Sequence, residues 1–435
     1  MTHRFRLPAL VLLLLLIPAA WAPAATTAPQ ADSVILFIGD GLGPGHIPMA
    51  RGAIGRPLAI ERTQFSGTAV TTSLGGGITD SAAAGTALAT GHKTKNGMVA
   101  VSPEGQPLKT ILEQCRDKGK AVGVVTTDRL WGATPATFLA HAASRREGAS
   151  IAAQVAESGA EALLGFEDAE FRPASAGGAR TDGKDLVAEM RDAGYEIVTN
   201  RYELLTAQKQ RLLGLLDDGP RKPRLRDMLT VALARVGLDP DGFLIMVEHT
   251  GPDWNPGDPS ACLAAVLELD EAVAAATDYA NARGRTLVVV TGDHDTGGLV
   301  VENPERLPAL LKVNGSAGDL ASRLNADRAN AAQVMSELAG VTDLTAAELD
   351  EIKAASDAEK AIGAVISARA GVKWTGKGHT AIPVPVFAFG PGAEGFAGPM
   401  DNTDIPKRIA KTLGIEAMFE AAEAGAAATA VGAAR

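Results

Sequence analysis

Three apolar runs in this chain each end in an acid. Val34–Ile38 leads into Gly39-Asp40-Gly41, Phe243–Val247 into Glu248 with Asp253 close behind, and Thr286–Val290 into Thr291-Gly292-Asp293-His294. One acid after a strand is turn chemistry, because Asp side chains bond to their own backbone there. Three such ends, one followed at once by histidine, suggest instead convergence on a metal ion, since imidazole and carboxylate are ordinary ligands. A fourth stretch offers a nucleophile. In Thr79-Asp80-Ser81 and the small residues that follow, Ala82–Thr90 reads as a short helix closed by Gly91. Ser81 then stands at the helix N-terminus, where free N–H groups and the dipole favour an anion. Ser81 or Asp80 could equally serve as a plain N-cap. As a nucleophile Ser81 needs help, because no histidine neighbours it in sequence. A zinc ion on its oxygen would lower its pKa without a general base.

The elements that must hold these groups alternate strand and helix. β-rich runs stand at Val34–Ile38, Val122–Thr126, Phe243–Val247, Thr286–Val290 and Val384–Phe389. Helical compositions fill Lys109–Asp117, Ser150–Ser158, Leu263–Ala282 and Ala346–Ala368. Apolar strands without polar alternation, separated by helices, predict an α/β fold with a mostly parallel sheet covered on both faces. In such a sheet ligands gather beyond the carboxyl ends of the strands, where the acids are. Two polar, turn-rich stretches, near 160–235 and 301–372, read as excursions from that core. The first shows no clear buried-strand run beyond Glu196–Thr199. The tail 421–435 is mostly Ala and Gly.

The chain has 435 residues, 46% hydrophobic and 21% charged, which excludes a disordered or collagen-like protein. A net charge of −10 leaves no basic field for nucleic acid or an anionic membrane. Any phosphate bound by so acidic a protein must meet positive charge supplied locally by metals. Arg4 and Arg6 precede an apolar run, Leu7–Ile17, and then small residues with an A-x-A pattern at Ala22-Pro23-Ala24. That is a secretory signal over 1–24, and the run is too short to span a bilayer. The expectation is a periplasmic or secreted protein with no membrane attachment after cleavage. Cys115 and Cys262 could pair in an oxidising compartment or simply be buried.

Taken together, the motifs resemble those of bacterial alkaline phosphatases. They run in order through Phe37-Ile38-Gly39-Asp40-Gly41-Leu42-Gly43, Thr79-Asp80-Ser81-Ala82-Ala83, Ala133-Thr134-Pro135, Met246-Val247-Glu248, Thr291 to Gly298, Gly378-His379-Thr380 and Met400 to Ile405. The resemblance implies a large central sheet between helices with crown-like insertions, a homodimer, and hydrolysis of phosphate monoesters through a phosphoserine. It implies two Zn2+ and one Mg2+ per subunit. Ser81 would be the nucleophile and Arg145 the bidentate grip on phosphate. Asp40, Asp293 and His294 would hold one zinc, Asp253 and His379 the second, and Asp40, Thr134 and Glu248 the magnesium.

The chain departs from the family at the second zinc. A histidine usually stands four residues after the matching Asp, but Gly257 or Asn255 falls there. Asp258 could supply a carboxylate, His249 could reach across, or two protein ligands could remain. Gly132 likewise stands where the family often carries Asp or His, which removes a side chain that would help choose the third ion. A phosphodiesterase or another hydrolase of the superfamily, and a catalytically weakened phosphate- or metal-binding relative, are the alternatives. Retention of both Ser81 and Arg145 argues against the last.

Overall fold

The computed structural model describes residues 31–416. The expected signal segment 1–24 and the tail 421–435 lie outside the described residues. In chain order the strands are β1 (Ser33–Gly39), β2 (Phe65–Val70), β3 (Ala121–Arg129), β4 (Ala162–Phe166), β5 (Glu196–Val198), β6 (Leu212–Leu216), β7 (Phe243–His249), β8 (Thr286–Gly292), β9 (Asp295–Thr296), β10 (Leu299–Val301), β11 (Val372–Trp374), β12 (His379–Thr380), β13 (Val384–Phe389) and β14 (Gly398–Asp401). Ten of them form one sheet in the order β14-β2-β13-β8-β1-β7-β3-β4-β6-β5. All its pairings are parallel except those of β13 with β2 and β8.

β1 sits centrally because both its faces are apolar. Ile35 and Phe37 pack on one side with Leu263, Val266 and Leu269 of the long helix Pro259–Arg283. Val34, Leu36 and Ile38 pack on the other with Ala82, Leu88 and Phe138. The register brings strand ends level: Gly39 lies opposite both His249 and Gly292, and Ile38 opposite Glu248. Thr126 of β3 also lies opposite Glu248. Four neighbouring parallel strands therefore deliver their next residues to one edge.

The stretch 160–235 is not an excursion. It supplies β4, β5 and β6, which extend the sheet beyond β3, and β4 and β6 are buried along their whole length. Residues 301–372 contribute no strand to the main sheet. Its helices Ala317–Ala321, Ala331–Ala339, Ala346–Ala354 and Ala358–Ala370 share one apolar core with the long helix, through Leu320, Met335, Ile352 and Ile362. The single helix expected over Ala346–Ala368 is two, the second N-capped by Asp357. Cys115 and Cys262 are free and lie in different core layers, so they do not pair. Among the described residues no helix is long and apolar enough to cross a membrane.

Candidate active site

Asp40 follows β1, and its backbone N–H bonds to the carbonyl of His249 at the end of β7 (2.9 Å). Gly41 turns the chain with φ of 74°, and a Cβ there would come within 2.7 Å of the Asp253 backbone. Only glycine permits that approach. Asp293 follows β8 and receives the N–H groups of Gly41 (3.0 Å) and His294 (2.8 Å) on Oδ1. The other oxygen, Oδ2, is buried without a hydrogen-bond partner, as is Asp40 Oδ1. Both oxygens face His294 Nε2, at 3.2 and 3.3 Å. Burial, reinforced by the charge of Asp293, pushes Asp40 well above the usual carboxylate range. Burial also lowers His294, against the pull of Asp293.

Ser81 Oγ reaches the same point, 3.2 Å from His294 Nε2. Its helix, Ser81–Thr90, is N-capped by Asp80 and closed by Gly91, so Asp80 and not Ser81 is the cap. Asp80 Oδ1 accepts the Ala83 N–H, and Oδ2 accepts the Gly97 N–H and lies 3.2 Å from Arg145 Nη1. One carboxylate thus ties the serine helix to the arginine. A second group adjoins the first. Asp253 Oδ1 lies 3.2 Å from His379 Nε2 and accepts the Thr296 hydroxyl (2.7 Å). The His294 and His379 rings stack with centroids 3.6 Å apart. Burial alone would lower His379, but bonding to Asp253 and to the Thr79 carbonyl lifts it to about 9. Asp253 is lowered, because His379 outweighs its own burial.

Buried acceptors left without donors are the signature of sites meant for cations. The ligand atoms of Asp40, Asp293 and His294 lie within 4.8 Å of one another, and so do those of Asp253, His294 and His379. Nitrogen and carboxylate donors of this kind fit divalent transition ions. The structure gives both candidates for a further ligand, Asp258 and His249, other tasks, and Asn255 as well. Asp258 caps the long helix: Oδ1 accepts from Ser260 and Ala261, and Oδ2 from the Ala317 N–H. His249 turns towards Glu268 on that helix, 3.5 Å away, and holds the Glu268 carboxyl down at about 2 against its burial. Asn255 donates to the Gly251 carbonyl. Gly257 has φ of 96° and open space where a side chain would begin. A cavity of about 630 Å³ opens there, lined by Trp254, Gly257, Trp374 and Lys377.

Glu248 and Thr134 lie side by side, and the charge of Glu248 bears on Asp40. Thr134 opens the helix Ala133–Leu139, and its buried hydroxyl has no partner. Glu248 accepts the Thr126 hydroxyl. Burial, and then the charge of Asp128, pushes Glu248 up to about 8. No motif pointed to Asp128, whose charge bears on Glu248. The Asp128 carboxylate fills the space in front of Gly132, where a Cβ would lie 2.2 Å from Oδ2.

The alkaline phosphatase family model matches residues 31–415 of this chain. Alkaline phosphatase 3 of Bacillus subtilis is 33% identical over 422 residues, covering 88% of this chain and 89% of that protein. The cold-active alkaline phosphatase of a psychrophilic Shewanella superposes with a TM-score of 0.79 at 30% identity, covering 88% of this chain and 99% of its own. That of the Antarctic bacterium TAB5, in a variant with Asp in place of a His, has Mg in its M3 site; it is 25% identical, with a TM-score of 0.67 over 89% of this chain and 99% of its own. Serine, paired acids and stacked histidines at the parallel strand ends thus accompany a match along the whole described chain, which belongs to the alkaline phosphatase family.

Proposed function

We propose that this chain hydrolyses phosphate monoesters by passing the phosphoryl group to Ser81 and then to water. The observation that carries this reading is the convergence of Ser81 Oγ, Asp40 Oδ1 and Asp293 Oδ2 on His294 Nε2, at 3.2–3.3 Å. Bound at the three groups, two Zn2+ and one Mg2+ would supply Lewis acidity and the positive charge that the surrounding carboxylates lack. Ser81 Oγ gives its proton to water and bonds to phosphorus as the bond to the ester oxygen breaks and the alcohol leaves with a proton from water. A second water then bonds to phosphorus, the bond to Ser81 Oγ breaks with return of a proton to Oγ, and inorganic phosphate leaves. The helix N-terminus at Ser81 and the guanidinium of Arg145, held by Asp80, favour the phosphate oxygens in both steps. A terminal phosphate offers Arg145 two oxygens, which favours monoesters over diesters.

The second metal position is the weaker one in this reading. Asp253 and His379 serve it, with His294 shared, while Asp258 and His249 are engaged elsewhere. Export rests on Arg4, Arg6 and Leu7–Ile17, and a homodimer on the family alone. The test is turnover of p-nitrophenyl phosphate at alkaline pH by chelator-stripped protein as zinc is returned with magnesium present. Recovery of turnover supports the reading. A folded, zinc-loaded protein that turns over no monoester refutes it.

A further inference from the structure

β3 leaves its register with β4 between Val125 and Arg129, while its pairing with β7 holds as far as Thr126 opposite Glu248. Such an irregularity re-aims the side chains that follow it. Here it places Asp128 against the turn into the helix Ala133–Leu139. The Asp128 N–H bonds to Thr126 Oγ1 (2.8 Å), the same hydroxyl that donates to Glu248. Oδ1 pairs with Arg129 Nε at 3.4 Å. Oδ2 stands 2.2 Å from the point a Cβ on Gly132 would occupy, and Cγ stands 3.0 Å from it. A side chain at 132 would force Asp128 to move and would also press the Arg129 carbonyl, 2.9 Å away.

Glu248 is buried, and a second acid tied to it through the shared Thr126 hydroxyl calls for a cation nearby. The buried hydroxyl of Thr134, two residues beyond Gly132, is also without a partner. The donors of this group are all oxygen, and such a set suits a small hard cation with retained waters. We propose that Asp128, reaching in from β3, supplies the carboxylate that completes the third cation site and makes it magnesium-selective. Gly132 is then glycine because Asp128 occupies the place of its side chain. This rests on the metal-dependent reading above.

The test is calorimetric titration of zinc-loaded protein with Mg2+, and electron paramagnetic resonance with Mn2+ as the probe. Asp128→Ala is expected to weaken binding of either ion at least tenfold with zinc content unchanged. Gly132→Asp alone is expected to weaken it too, through collision with Asp128. Combining Gly132→Asp with Asp128→Ala is expected to restore most of the affinity, since one carboxylate replaces the other. Asp128→Asn keeps the shape and covers the case in which the alanine variant does not fold. Unchanged magnesium affinity in Asp128→Ala or Asp128→Asn overturns the proposal. So does a Gly132→Asp single variant that binds as well as the double variant, or a parent protein that binds no magnesium. Turnover of p-nitrophenyl phosphate by the parent separates these failures from failure of the phosphatase reading.

Discussion

Replacing Asp258 with alanine separates a metal ligand from a helix cap. Both carboxylate oxygens are committed to backbone: Oδ1 to the N–H groups of Ser260 and Ala261, Oδ2 to that of Ala317. Losing the N-cap costs about 1 kcal/mol. Stranding the buried Ala317 N–H costs about 1–3 kcal/mol more. The expected loss is about 2–4 kcal/mol. At roughly 2.1 cal/mol/K per residue over about 400 residues, that lowers Tm by about 2–5 °C. Asp258→Asn retains one acceptor and turns an NH2 towards Ala317, so it falls between parent and alanine variant. Thermal melts measure the first quantity, and zinc content after dialysis the second. The predicted result is lower Tm with zinc content unchanged. Loss of a zinc equivalent with Tm unchanged refutes the reasoning and makes Asp258 a ligand.

Zinc titration monitored by calorimetry should resolve two classes of site, the second at least tenfold weaker; two equally tight sites contradict the two-residue reading of the Asp253–His379 position. Ser81→Ala should lower kcat for p-nitrophenyl phosphate by a factor on the order of 10³ or more while zinc binding persists. The His141–Glu113 pair gives a pH-dependent stability. Burial opposes the charge on His141, but bonds to Glu113 and to the Ala100 carbonyl raise its pKa above the ordinary 6.5. Its contribution is therefore full below 6.5 and fades as pH rises through the elevated folded value. His141→Gln should cost roughly 1 kcal/mol at mildly acidic pH and less at alkaline pH, read as the Tm gap from the parent; a gap that widens with pH refutes this. Burial pushes the Cys115 thiol up to about 12 and raises Cys262 as well. Neither should react with a thiol reagent until the protein unfolds.

What could be read from the residues was whatever parallel strands impose by themselves. β1, β7 and β8 are continuous apolar runs, so their carboxyl ends and the acids just beyond them are visible without a structure. β4 and β6 were missed because Ala-Leu-Leu-Gly-Phe and Leu-Leu-Gly-Leu-Leu lack the β-branched residues that mark a strand. Asp258 carried a readable signal: Asp before Pro and Ser at the start of a long apolar-faced helix is an N-cap sequence. Asp128 carried none. A change of strand register sets its carboxylate in front of Gly132 and its N–H on the Thr126 hydroxyl that also bonds Glu248, and no residue spacing announces that arrangement.

The central claim is that Ser81 carries the phosphoryl group. The direct measurement is mass spectrometry of the peptide containing Ser81 after zinc-loaded protein is incubated with inorganic phosphate at mildly acidic pH and quenched in acid. The account predicts a phosphate adduct on Ser81, absent from Ser81→Ala and from chelator-stripped protein. A protein that turns over p-nitrophenyl phosphate yet shows no adduct there, or shows it on another residue, contradicts it.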